Sequence, residues 1–286
     1  MVLQLTFVMM FIVHSASAAE SWKKLWETAD LPNPESVVYD SERKILFVSL
    51  QAYGAKPGNG SIAKMTIDGK LISPTWVSGL NEPKGMALHA GKLFVSDLTE
   101  LVEIDIESAK VLSRYKGTGA KFLNDVAING QGEVFVSDMF NSSIYKLGKD
   151  KKLQVWLESP LLENPNGLLV QGDRLLVAAW GRFTDQKPLN AKKGNLLSVS
   201  LKDKKISTLT ASPMGNLDGI QQFQSKRFLV SDWVSGSISV SDENFTFQKT
   251  LELEQSVGDI AFLEDQKLLL IPMAKQGKVL AYKLQN

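Results

Sequence analysis

One pattern recurs six times along the chain: an apolar strand opened by a small or polar residue, a tight turn, then a run resembling Leu-Phe-Val-Ser-Asp. The copies begin at Pro34-Glu35-Ser36, Pro83-Lys84-Gly85, Leu123-Asn124-Asp125, Pro165-Asn166-Gly167, Leu217-Asp218-Gly219 and Val257-Gly258-Asp259. Counted at the second residue of each copy, the spacings are 49, 40, 42, 52 and 40 residues. The second copy shows the full unit in Lys84–His89, Lys92–Asp97, Leu101–Ile106 and Lys110–Tyr115. A period of roughly 40–50 residues holding four short strands predicts the blade of a β-propeller. The second segments, such as Ile45–Ser49 and Glu133–Asp138, are apolar almost throughout, which suits strands covered on both faces by neighbouring blades.

The sixth copy shows only three strand-like segments, near Ile260–Phe262, Lys267–Ile271 and Lys278–Leu284. Ser21–Glu27 reads as a further strand and is expected to supply the fourth, which closes the ring and covers its free edges. The expected fold is therefore all-β: one six-bladed β-propeller domain over residues 20–286, closed by an N-terminal strand completing the last blade. Residues 1–19 read as a secretory signal peptide, with apolar Val8–Val13 followed by Ala16-Ser17-Ala18, a small-residue cleavage pattern. The mature chain is expected to be secreted or periplasmic.

The absence of cysteine excludes disulfides, thiolate metal sites and a cysteine nucleophile. A net charge of +1 without long runs of one sign gives no electrostatic footprint for nucleic acid. No internal stretch is long and apolar enough for a transmembrane helix. The expected partner is a small-molecule substrate. The chain is expected to be a monomer, without stable membrane insertion once the signal is cleaved.

The second residue of each copy forms a column: Glu35, Lys84, Asn124, Asn166, Asp218 and Gly258. The first strand of a propeller blade is innermost, so this column should ring one mouth of the central channel. Glu35, Asn124, Asn166 and Asp218 offer carboxylate and amide oxygens, the donors that Ca²⁺ accepts, and another divalent cation would also suit them. Zinc would prefer imidazole or thiolate, and the only histidines are His14 and His89. The alternative is that these residues cap turns between blades, as Asn and Asp often do. The two long spacings come from insertions at Gln51–Asn59 and Gly181–Lys193, in loops on the same face as the column. They are expected to overhang it, with Tyr53, Trp180, Phe183 and Trp233 forming an apolar substrate wall; ordinary loop drift is the alternative. The pairs Ser96-Asp97, Ser137-Asp138 and Ser231-Asp232 read as turn caps or as a substrate rim.

Asn164-Pro165-Asn166-Gly167-Leu168 and Asn216-Leu217-Asp218-Gly219-Ile220 resemble the PNGL and PDGM elements of the senescence marker protein (regucalcin), gluconolactonase and luciferin-regenerating enzyme family. Pro34-Glu35-Ser36 resembles its first element and Leu123-Asn124-Asp125 its third; paraoxonases share the fold and a similar ring. The resemblance implies Glu35, Asn166 and Asp218 as metal ligands and Asn124 as a ring residue that binds metal or substrate. Two positions depart from it. Phe122 stands where sugar lactonases of the family place an arginine, so sugar-lactone specificity is not implied and Phe122 joins the substrate wall. Lys84 stands where the paraoxonase-like ring has histidine, and His89 lies further along that strand and reads as structural.

The expected function is metal-assisted hydrolysis of a lactone or simple ester. Asp218, or Asp125 beside the ring, would activate water. Lys84, with its pKa lowered by the nearby cation, would serve as acid–base or oxyanion partner or bind an anionic group. The competing expectation is a non-catalytic, calcium-stabilised propeller that binds a small ligand or a protein. A carbon–nitrogen bond-forming synthase resembling strictosidine synthase shares the fold and ranks last.

Overall fold

A computed structural model describes residues 20–51, 57–185 and 187–285; the expected signal peptide and Tyr53 lie outside the described residues. Six four-stranded antiparallel sheets form the blades of a propeller. Blades I to V run in chain order from inner to outer strand, opening with Pro34–Asp40, Pro83–His89, Leu123–Ile128, Pro165–Gln171 and Leu217–Phe223. Blade VI takes Ala261–Leu263, Leu268–Met273 and Lys278–Leu284 from the end of the chain and its outer strand, Trp22–Thr28, from the beginning. Trp22 pairs with Leu284 and Thr28 with Val279, so the ring is closed by the strand expected to close it.

The hydrophobic core is six wedges, one between each pair of neighbouring blades. In the second strand of blade I, Leu46, Val48 and Leu50 pack toward blade VI, whereas Phe47 packs toward blade II. That alternation explains the continuous apolar runs, because both faces of such a strand are interior. Leu123, Val126 and Tyr145 fill the wedge between blades II and III, and Leu217, Ile220 and Phe228 that between IV and V.

The inner strands do not pair regularly along their whole length. Each of blades I to V shifts register at its opening: between Pro34 and Val37, Pro83 and Met86, Leu123 and Val126, Pro165 and Leu168, and Leu217 and Ile220. A bulge leaves residues outside the ladder and re-aims their side chains. Here the two residues released are the column residue and its successor, and both are buried in every one of these blades. The serine of the recurring Ser-Asp pair locks the bulge. Ser137 Oγ accepts from the Asp125 amide (2.9 Å) and donates to the Asn166 carbonyl of the next blade (2.7 Å). Ser231 does the same with Gly219 and Gly258, at 2.8 Å each. The aspartate holds the incoming chain: Asp97 accepts from the amides of Asn81 and Glu82, and Asp138 from those of Lys121 and Phe122. Both residues are structural locks, one between blades and one at the turn.

Candidate functional site at the channel mouth

Glu35, Lys84, Asn124, Asn166 and Asp218 are each 5% exposed or less. Glu35 and Asp218 lie close enough for their charges to interact, and Lys84 acts on both. Asn166 hydrogen-bonds the Asp218 carboxylate, and its Nδ2 also donates to the Leu217 carbonyl (3.3 Å). Asn124 turns its Nδ2 toward the Met139 sulfur at 4.0 Å. With the amide nitrogens engaged by the protein, the amide oxygens are the ends left for a ligand. Glu35 Oε2 is buried without a hydrogen-bond partner. An orphaned carboxylate oxygen is costly unless something outside the protein meets it.

One residue deeper, Asp125 and Asp259 are also buried, but both are occupied. Asp125 accepts from the amides of Val126 and Leu168, both at 2.6 Å, which ties blade III to blade IV. Asp259 accepts from Ser36 Oγ at 2.7 Å, across the seam between blades VI and I. Glycine fills this layer where the next strand presses closest. A Cβ on Gly85 would lie 2.2 Å from Asp125 Oδ1, and one on Gly167 would lie 1.9 Å from the Asp218 carbonyl.

Burial pushes the Glu35, Asp218 and Asp125 carboxyls well above the usual carboxylate range, and repulsion among these acids and Asp259 adds to it. Burial likewise raises Asp259, to about 7, against the hydrogen bond from Ser36. Burial also lowers the Lys84 ammonium, while Glu35 and Glu82 pull it back up. Desolvation is thus the cause, where the sequence pointed to a neighbouring cation. Four buried acids face one buried ammonium. Ionising all four requires more positive charge than Lys84 supplies, so the cluster must hold protons or accept a cation. Among the described residues no group of three or more His, Cys, Asp or Glu is gathered as a metal site. A cation here would rely on two carboxylates, Glu35 and Asp218, and on the amides of Asn124 and Asn166. Hard, neutral and anionic oxygen donors of this kind fit calcium.

A second column, just past the end of each second strand, forms the rim above the ring: Gln51, Leu98, Met139, Trp180, Trp233 and Ala274. In five blades the rim amide donates to the carbonyl two residues before the ring position, as Met139 does to Phe122 (3.1 Å) and Trp180 to Asn164 (3.0 Å). The aromatic wall expected from the sequence divides into two parts. Phe122 meets Phe140 at 4.9 Å between ring centroids, and Phe140 meets Phe183 at 5.3 Å. Trp180 and Trp233 form a second pair at 5.9 Å. The described residues of the 181–193 insertion are braced by Trp180 Nε1 donating to the Pro188 carbonyl (2.7 Å) and by the Lys192 amide donating to the Arg182 carbonyl (3.0 Å).

Phe140, Met139, Gln51 and Asp259 escaped the sequence reading. Gln51 resembles Glu35 in having a buried oxygen, Oε1, with no partner. Three of them were within reach of repeat alignment: Gln51 and Met139 occupy the rim column and Asp259 the column after the ring. Phe140 has no repeat signature, and only its contacts reveal it. His89 ends its strand, pairing with Lys92 beside a turn and lying close to Gly132, away from the ring.

Among solved structures the fold is similar to a gluconolactonase from Xanthomonas campestris, at 17% identity over 96% of this chain and 94% of that one, with a TM-score of 0.69. It is also similar to virginiamycin B lyase from Staphylococcus aureus, at 10% identity over 93% and 100% of the two chains, with a TM-score of 0.64. Identities this low show a shared fold. No protein-family model and no curated protein matches the chain.

Proposed function

We propose that the chain is an exported, metal-dependent hydrolase, with calcium as its metal, acting on a lactone or simple ester at the channel mouth. The observation that carries this reading is the unpartnered, buried Glu35 oxygen in a ring completed by amide and carboxylate donors. The likeness of the fold to a gluconolactonase supports the reaction class.

Glu35, Asn124, Asn166 and Asp218 would hold the ion. Bound there, it would polarise the substrate carbonyl and stabilise the negative charge that develops on its oxygen. Asp218 is the residue to take a proton from the attacking water, its carboxylate oriented by the Asn166 amide. Asp125 has both oxygens committed to main-chain amides, and so acts as a positioning residue. Phe122, Phe140 and Phe183 on one side, and Trp180 and Trp233 on the other, would hold the apolar part of the substrate and limit water. A phenylalanine at position 122 offers no hydrogen bonds to a polyhydroxylated ring, which favours a less polar lactone or ester. Residues 1–19 would direct export.

The competing reading is a calcium-stabilised propeller that binds a small ligand or a protein without chemistry. Metal analysis of purified protein, then a panel of lactones and esters assayed with and without chelator, separates the two. Hydrolysis abolished by chelator and by Asp218→Ala is the expected result. Bound calcium without turnover of any ester or lactone would remove the enzymatic reading.

A further inference from the structure

Blade II breaks the repeat at the rim. In the other five blades the main-chain amide after the second strand closes onto the carbonyl two residues before the ring position. In blade II the equivalent residue, Leu98, has left-handed backbone (φ 57°), and its carbonyl instead receives the Leu123 amide at 2.7 Å. The carbonyl thereby released, that of Glu82, is taken by Lys84 Nζ at 3.2 Å. The same ammonium meets the Glu82 carboxylate at 3.3 Å and lies 4.4 Å from the centre of the Phe122 ring. Asp97 in turn fixes Glu82 by accepting its amide at 2.7 Å. The ammonium is therefore tethered on several sides, with its side chain only 3% exposed. Its charge bears on both ring carboxylates, Glu35 and Asp218.

We infer that Lys84 is a built-in competitor for the ring: a fixed positive charge that lowers its affinity for a divalent cation and makes the bound ion exchangeable. This rests on the proposed cation site and adds to it an electrostatic setting of its strength. Two effects of the ammonium act in the same direction. Lys84 offsets one carboxylate charge that would otherwise attract the ion, and it repels the ion directly; both weaken binding. Because the ammonium is buried, mobile salt screens its influence poorly. Lys275 makes the contrast: it is exposed, lies 5.0 Å from the Trp233 ring and can be screened.

Calcium alone is titrated into wild type, Lys84→Met, Lys84→Gln and Lys275→Met by calorimetry at fixed pH, with the calcium-induced rise in melting temperature as a second readout. Lys84→Gln keeps a donor for the Glu82 carbonyl and guards against misfolding of the methionine variant. Both Lys84 variants should bind calcium about tenfold more tightly than wild type, and the difference should survive a change from about 0.05 to about 0.5 M salt. Lys275→Met should bind like wild type. Wild-type or weaker affinity in both Lys84 variants, with wild type binding normally, overturns the competitor role and leaves the cation site standing. Absence of binding in all four proteins removes the cation site and this inference together. Binding in the Lys84 variants but not in wild type supports the competitor role in its strongest form.

Discussion

Glu35, Asn166 and Asp218 share their bulges with the residues that follow them, Ser36, Gly167 and Gly219, and the two layers meet opposite demands. The deeper layer is spent on the protein. Asp125 staples two blades, Ser36 bonds Asp259 across the closing seam, and the glycines let strands approach closer than any side chain would permit. The upper layer is incompletely used by the protein, down to a buried Glu35 oxygen without a partner. A single step along the strand thus separates side chains that hold the ring together from side chains left for a ligand. Substitutions in the deeper layer should therefore cost stability, and substitutions in the upper layer should cost activity.

The sharpest way to break this contrast is Gly167→Ala, whose Cβ would sit 1.9 Å from the Asp218 carbonyl. Backbone cannot yield there without moving blade V, so the loss should reach about 3–5 kcal/mol. A urea midpoint equal to wild type would show that the close approach is not structural. Next in size, Glu35→Gln and Asp218→Asn should each lower kcat/KM on a hydrolysed ester about 10²–10³-fold. Their urea midpoints should stay near the wild-type value without metal, because each replaces a buried carboxyl by a neutral amide of the same shape. A large loss of stability with activity retained would reverse the assignment of the layers.

Asp125→Ala should follow, leaving the Val126 and Leu168 amides unpaired at about 1–3 kcal/mol for each. Equilibrium unfolding should show that loss, and Asp125→Asn should recover part of it. The smallest effect is on pH. The carboxyls of Glu35, Asp125, Asp218 and Asp259 are all raised by folding, Asp259 to about 7 against an ordinary value of 3.8. The folded state therefore holds more protons than the unfolded one between these values. Stability from this source is complete near pH 4 and is lost as pH rises through 7, so metal-free protein should melt several degrees lower at pH 8 than at pH 5. Asp259→Asn should flatten the slope, and added calcium should restore the melting temperature at the alkaline end. A melting temperature that climbs steadily over this range would show that the acids are not held protonated.

Much of this arrangement could be read along the chain. The ring column, the six blades and the closing strand Trp22–Thr28 all follow from a repeat whose apolar and turn positions are local. The Ser-Asp pairs were visible as a motif, yet their work was not. Ser137 joins Asp125 to Asn166, and that bond exists only because two inner strands lie side by side. Phe140 likewise matters only through Phe122 and Phe183, which arrive from different loops. The tether of Lys84 depends on the left-handed turn at Leu98, which has neither the glycine nor the asparagine that would announce it.

By itself, then, the sequence determined that oxygen-bearing side chains from separate blades would converge on one mouth, because periodicity fixes which residue opens every inner strand. Only the tertiary structure decided which of those oxygens the protein consumes and which it leaves unmet. That division depends on the distance between neighbouring strands at the axis. There a missing Cβ, a serine bridging two blades or one turned peptide determines whether a buried charge finds a partner within the protein.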